Sequence, residues 1–110
     1  MVKEKVIYIA EGLVLGKDKD NEEKIFFSRR ITAKDMKELD EEIKMGLKEG
    51  WLDKDFGFQE LLGALMEIEK RECIKKGNKW YCNSTYKKKY YGNLSRKQKL
   101  SLSRAFEYGI

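Results

Sequence analysis

The chain has 110 residues, 41% hydrophobic and 39% charged, with a formal net charge of +5, which predicts a single domain (residues 1–110) with a small core under a heavily charged surface. It contains no histidine, which excludes Ser-His-Asp and Cys-His catalytic machinery and imidazole metal ligands. No stretch approaches the roughly 20 apolar residues of a membrane span, and the first residues do not resemble a signal peptide, so we expect a cytoplasmic protein without a membrane partner.

The N-terminal third of the sequence predicts a β-hairpin. Residues 6–15 are rich in β-branched and other apolar residues and predict a strand, in which Gly12 is a candidate for a bulge. The polar residues 17–23 predict a loop, and residues 24–31 predict the second strand of the hairpin.

An amphipathic helix follows this hairpin. Thr32 and Asp35 form a T-x-x-D start signal, in which the threonine hydroxyl caps the first turn. Gly50 is the expected end of the helix. Apolar residues recur between them at three- and four-residue intervals, as on one face of a helix: Met36, Leu39, Ile43, Leu47 and Trp51.

Residues 58–68 predict a second amphipathic helix, and residues 72–83 predict a second β-hairpin. A helix that runs directly into a basic hairpin resembles the end of a winged-helix unit. In such units the helix reads the DNA major groove, while the hairpin, or wing, contacts the backbone. Three acidic residues on the supposed reading helix would repel DNA, which makes the hairpin and the last helix the better candidates for contact: Glu60, Glu67 and Glu69.

A two-residue turn at Gly77-Asn78 places Cys73 directly opposite Cys82. Three interpretations of this pair stay open. Two reduced thiols are favoured for a cytosolic protein, whereas a cross-strand disulfide requires an oxidising compartment or a redox signal. A zinc site is the least favoured, because two thiolates without histidine fall short of the usual four ligands.

Ser95 and Gln98 form an S-x-x-Q capping box that opens a last helix, and Gly109 is its expected end. The complete order is an N-terminal β-hairpin, two amphipathic helices, a second β-hairpin and a C-terminal helix. This order predicts an α+β fold.

The charges are distributed unevenly along the chain. Residues 1–69 contain 12 Lys and Arg against 17 Asp and Glu, a balance of −5, whereas residues 70–110 contain 12 against 2, a balance of +10. Such asymmetry is typical of a protein with a polyanionic partner. A solvated surface that only maintains solubility, or a basic segment that docks on the acidic one, would give the same composition.

Aromatic residues alternate with the cations of this basic part. Cations neutralise phosphates and aromatic rings stack on bases, so the combination suits nucleic acid. In a purely structural role, Trp80, Tyr81 and Tyr91 would fill the core while the lysines point outward. The predicted nucleic-acid-binding residues are Lys75, Lys76, Lys79, Trp80, Lys87, Lys88, Lys89, Tyr90, Arg96, Lys97, Lys99 and Arg104.

The sequence therefore predicts a non-enzymatic protein that engages DNA or RNA, with no catalytic residue, cofactor or metal. The alternative is a protein-binding inhibitor of a phage or mobile element, similar to anti-CRISPR proteins, that docks on a large nucleoprotein complex in the host cytoplasm. Glu38, Glu41 and Glu42 would then provide a second, acidic contact surface. A structural subunit that oligomerises through exposed aromatic residues is a third hypothesis.

Overall fold

The computed structural model describes residues 3–53 and 57–109, which contain five strands and two helices. The elements are β1 (Lys3–Lys17), β2 (Glu23–Phe27), β3 (Ile31–Ala33), α1 (Met36–Glu49), β4 (Glu60–Lys76), β5 (Lys79–Gly92) and α2 (Arg96–Tyr108). The strands form one antiparallel sheet in the order β2-β1-β4-β5, and β3 also pairs with β1. The result is a small single-domain α+β fold, and neither helix in these ranges is long and apolar enough to cross a membrane.

Each helix covers one face of the sheet, and we call these the α1-side face and the α2-side face. Because successive side chains of a strand point to opposite faces, β1 and β4 bury residues on both of them. The main buried residues of the α1-side core are Ala10, Val14, Leu39, Ile43, Ala64, Met66 and Ile68. The buried residues of the α2-side core are Leu13, Leu15, Leu65 and Leu102.

The segment predicted as a second helix is instead the first half of β4, so that prediction is wrong. Nearly every position of residues 61–68 is apolar, and the segment is buried or half-buried throughout because β4 lies in the middle of the sheet, between two helices. A short continuous apolar run matches a buried strand as well as a buried helix, so its helical spacing was not diagnostic. The resemblance to a winged-helix unit is lost with the helix.

Helix α1 begins about one turn later than predicted. Asp35 is the N-cap residue, and its carboxylate accepts the backbone N–H of Glu38 at 2.8 Å. Thr32 lies in β3 instead. Aspartate is among the residues most favoured at the N-cap, so Asp35 takes this position instead of Thr32. The helix ends at Gly50 as predicted, in the left-handed conformation with φ of 77°.

The N-terminal hairpin of β1 and β2 is confirmed, but its second strand is interrupted. Strand β2 ends at Phe27, and the chain resumes pairing with β1 only at Ile31. The irregularity of β1 lies between Leu15 and Gly16 rather than at Gly12.

The second hairpin and the last helix follow the sequence prediction closely. The register sets Lys76 opposite Lys79 and Cys73 opposite Cys82, as the two-residue turn requires. Both hydrogen bonds of the Ser95 capping box are present, and Gly109 ends α2.

The strands are much longer than the helices. Strand β4 has 17 residues, which span about 56 Å at about 3.3 Å per residue, and the longest dimension of the molecule is 57 Å. Helix α1, with 14 residues, spans only about 21 Å. The cores contain no described residue of β4 beyond Ile68 and none of β1 before Tyr8. Residues 3–7, 69–76 and 79–86 therefore form a three-stranded extension, which we call the distal ribbon.

Gly12 lies where β1 passes too close to the backbone of β4 to accommodate a side chain. A Cβ atom at this position would lie 2.1 Å from the carbonyl oxygen of Leu65 and 2.9 Å from the Cα of Met66. The N–H of Gly12 also donates to the Ser28 hydroxyl, and the Ser28 N–H donates to the Gly12 carbonyl. These two hydrogen bonds hold the chain just after β2 against β1, near the centre of the sheet.

We expect Gly12→Ala to destabilise the fold by about 2 kcal/mol or more, because the clashing atoms belong to the backbone and cannot rotate away. Urea denaturation measures this loss. Gly57→Ala is the control, since no atom of the described residues, apart from its chain neighbours, lies within 4 Å of a Cβ at that position. Equal stability of the two variants would contradict the close approach.

Candidate nucleic-acid interface

The α2-side face of the distal ribbon carries a basic groove. Three rows of side chains lie across the strands: Lys3, Lys75 and Trp80, then Lys5, Cys73 and Cys82, then Ile7, Arg71 and Ser84. The groove has a volume of about 290 Å³, and no acidic residue of the described ranges lines it. Its lining residues are Lys5, Ile7, Arg71, Cys73, Trp80 and Cys82.

Cys73 and Cys82 are joined by a disulfide in the middle row, and their Cα atoms are 4.1 Å apart. The reduced pair that the sequence favoured is therefore not the state of this structure. No group of three or more potential metal ligands occurs in the part of the chain that the structure describes. Among these residues, the two cysteines therefore have no additional side chains with which to form a zinc site. The bond ties β4 to β5 and forms part of the wall of the groove.

Three lysines on this face are free to meet a ligand. Lys3, Lys5 and Lys75 form no ion pair with any residue in the described ranges. Since all three have the same sign and lie in adjacent rows, their potentials add at the groove. A nearby polyanion would be attracted to this end of the ribbon.

Arg71, by contrast, is held in place by Glu69. Its Nε atom lies 2.8 Å from one carboxylate oxygen and its Nη2 atom 3.2 Å from the other. The Ser84 hydroxyl donates to the same carboxylate at 2.6 Å. The hydrogen bonds from Arg71 and then from Ser84 hold the pKa of Glu69 below its usual value. Arg71 therefore presents a fixed guanidinium whose charge is partly compensated.

Trp80 gives the groove an accessible aromatic ring. Its side chain is 47% exposed, and the Nζ atom of Lys75 lies 6.0 Å from the ring centroid. Tyr86, on the same face of β5, is 62% exposed. These rings are available for stacking because no helix covers this part of the sheet.

The three consecutive lysines of β5 do not form one patch. Lys87 and Lys89 lie on the α1-side face, whereas Lys88 lies on the α2-side face with its Nζ atom 4.6 Å from the centroid of the Phe106 ring. The Nζ atom of Lys89 contacts both carboxylate oxygens of Asp40, at 3.0 and 3.1 Å. Lys88 and Lys89 thus have contacts within the fold that compete with ligand binding.

Lys89 belongs to a network that fastens α1 to β5. The Tyr91 hydroxyl also donates to Asp40. Desolvation alone would raise the pKa of Asp40, but the hydrogen bonds from Tyr91 and Lys89 outweigh it and the pKa lies below its usual value. Burial, together with the bond to Asp40, raises the pKa of the Tyr91 phenol, which therefore stays protonated as a donor.

Replacement of Asp40 by Asn should lower stability at neutral pH by about 1 kcal/mol, because the charged acceptor is lost. Since the folded pKa of Asp40 is depressed, its contribution is present above the usual pKa of 3.8 and disappears as the pH falls through the lower folded value. Thermal unfolding of wild type and Asp40→Asn at several pH values should therefore converge in acid. Glu41→Gln, at an exposed neighbouring position, serves as control. A stability difference between wild type and Asp40→Asn that does not change with pH would contradict this role of the Asp40 carboxylate.

The remaining predicted residues are distributed over other surfaces. The Tyr90 hydroxyl donates to the Lys99 carbonyl at 3.1 Å, and the Lys99 Nζ atom lies 5.7 Å from the Tyr90 ring centroid, so this pair connects β5 to α2. Lys76 and Lys79 lie at the tip on the α1-side face. Three further cations are exposed on α2: Arg96, Lys97 and Arg104. Of the predicted set, the structure brings only Lys75 and Trp80 together in the groove region.

Sequence reasoning missed Lys3 and Lys5, because they enter the groove region only through the long pairing of β1 with β4. It also missed Arg71, which lies on the groove face because the second hairpin continues beyond its predicted start at residue 72. The signal that could have found Lys3 and Lys5 is the alternation of the first strand, which extends three residues before the predicted start at residue 6. No protein-family model, curated protein or solved structure matches this chain.

Proposed function

We propose that the protein is a non-enzymatic nucleic-acid-binding protein that holds single-stranded DNA or RNA on the α2-side face of the distal ribbon. The observation that carries this proposal is the groove lined by Lys5, Arg71 and the exposed ring of Trp80, with no carboxylate in the lining from the described residues. Lys3 and Lys75 extend the same charge along the ribbon.

Phosphate neutralisation and base stacking are the two interactions that this face supplies. Lysines that meet phosphates release condensed counterions, which makes binding strong at low salt and sequence-independent. An aromatic ring stacks on any base, since every base has a π-face. The bases of a single strand are accessible to Trp80, whereas those of a duplex are already stacked on each other.

The opposite face of the distal ribbon is a less suitable surface. It carries Glu4 and Glu72, and Glu72 forms an ion pair with Lys70 at 2.9 Å. The charges there are mixed, and its exposed side chains include Ile74 and Tyr81. The α2-side groove differs in combining cations and an exposed aromatic ring without a carboxylate in its lining from the described residues, which favours binding over solubility as their role.

The double variant Lys5→Gln/Lys75→Gln should bind an oligonucleotide more weakly and with a shallower salt dependence. On single strands, the slope of the logarithm of the binding constant against the logarithm of the salt concentration decreases in magnitude by about 0.7 for each lost phosphate contact. Fluorescence anisotropy of a labelled oligothymidylate across a salt series measures both effects. Lys76→Gln/Lys79→Gln, which removes the same charge from the α1-side face of the distal ribbon, is the matched control.

Two results would count against this proposal. Equal slopes for the two double variants would show that net charge, rather than the groove, determines binding. Failure of the wild-type protein to bind DNA and RNA oligonucleotides at low salt would overturn nucleic-acid binding altogether and favour the protein-docking alternative.

Trp80→Ala should weaken oligonucleotide binding by about 1–3 kcal/mol per stacked base while leaving the salt slope unchanged, because stacking releases no counterions. Tyr81→Ala, at 57% exposure on the opposite face, is the control and should bind as wild type does. Binding isotherms at fixed salt make the comparison. An equal loss in both variants would indicate general damage to the hairpin.

A further inference from the structure

The outer edge of β5 is an open strand edge with an unusual charge pattern. β5 has 14 residues and is the last strand of the sheet on its side, and its outer main-chain groups have no partner among the described residues. Lysines on an edge discourage pairing with other strands. Here Lys79 and the run Lys87, Lys88 and Lys89 protect both ends, but the seven residues 80–86 between them carry no charge.

The other edges of the sheet are better protected. The outer end of β1 alternates Lys3, Glu4 and Lys5, and β2 has only five residues. Short strands and edge charges are the usual means by which proteins avoid strand addition. The uncharged stretch of β5 is therefore the part of the described sheet that is best able to accept a strand.

The cross-strand cysteine pair shows which groups of β5 point outward. The 4.1 Å separation of the Cα atoms of Cys73 and Cys82 matches a non-hydrogen-bonded antiparallel pair, in which Cα atoms are about 4.5 Å apart rather than about 5.5 Å. The N–H and C=O of Cys82 therefore point away from β4. By alternation along the strand, those of Trp80, Ser84 and Tyr86 also face the open edge.

We propose that this edge binds an extended segment of a partner protein as an added β-strand, with acidic side chains on that segment opposite Lys79 and Lys87. Main-chain hydrogen bonds to residues 80–86 would supply affinity, as in other cases of strand addition. Lys79 and Lys87 are eight residues apart, so both lie on the α1-side face. The segment therefore presents two acids at its first and ninth positions, on one side of the strand.

A second copy of this chain is a poorer occupant of the edge. If residues 80–86 pair in antiparallel fashion with the same residues of a second copy, the two-fold axis lies at Asn83. Lys79 of each copy then lies opposite Lys87 of the other copy, at both ends of the paired stretch. Like charges directly opposite each other destabilise a strand pair. The net charge of +5 adds a general repulsion between copies.

The test uses a fluorescent nine-residue peptide with Glu at both ends and alternating Val and Thr between them. A second peptide of the same charge has proline at its centre, which prevents strand pairing. Ser84→Pro removes one outward N–H of the protein without removing a hydrogen bond to β4. Ser84→Ala is the matched control, since both variants lose the hydroxyl that donates to Glu69 but only the alanine keeps the N–H.

We expect wild type and Ser84→Ala to bind the strand peptide, and Ser84→Pro to bind it about tenfold more weakly or worse. Lys79→Glu/Lys87→Glu should lose this peptide and gain one with Lys at both ends, which tests the charge pattern even if the proline variant is unstable. Because Ser84→Pro and Ser84→Ala lose the same groove-side hydroxyl, the two variants should bind oligonucleotides equally, so a difference confined to the strand peptide separates this proposal from the proposed function.

Three results would overturn the proposal. The first is equal binding of the proline-containing peptide, which would reduce the interaction to charge attraction. The second is unchanged binding in both the folded Ser84→Pro variant and the charge-reversed variant. The third is a concentration-dependent dimer mass for wild type that Ser84→Pro abolishes, which would assign the edge to a second copy.

Discussion

The antiparallel pairing of β1 with β4 is the constraint on which the rest of the structure depends. It joins residues 3–17 to residues 60–75 along nearly the full length of the molecule. Because both strands lie inside the sheet, each buries side chains on two faces, and one helix is needed to cover each face. A slip of one residue in this pairing would exchange the two faces of a strand and move Lys5 away from Arg71.

The difference in length between the strands and the helices leaves the distal ribbon without a hydrophobic core. Covalent and polar contacts support it instead, namely the Cys73–Cys82 disulfide, the contacts of Glu69 with Arg71 and Ser84, and the ion pair of Lys70 with Glu72. Such contacts organise the surface and leave its remaining side chains exposed. The ribbon can therefore present cations and aromatic rings that a packed sheet face would have buried.

Local signals in the sequence were sufficient for the turn at Gly77-Asn78, the capping box at Ser95 and the end of α1 at Gly50, because each depends on a few adjacent residues. The first half of β4 could not be recognised in this way. A strand buried on both faces lacks the alternation that identifies half-buried strands. The candidate site could not be predicted from the sequence either. Lys5 and Arg71 line the same groove only because β1 pairs with β4, two strands that are far apart in the chain.

The charge asymmetry of the sequence acquires a different meaning once the strands are in place. Consecutive residues of a strand face opposite ways, so the basic run of β5 divides: Lys88 contacts the Phe106 ring, Lys89 pairs with Asp40, and the run as a whole protects one end of an open edge. Two of the free lysines on the groove face, Lys3 and Lys5, come instead from the part of the chain with a net negative charge. Register, more than composition, therefore determines where this protein can attract a polyanion.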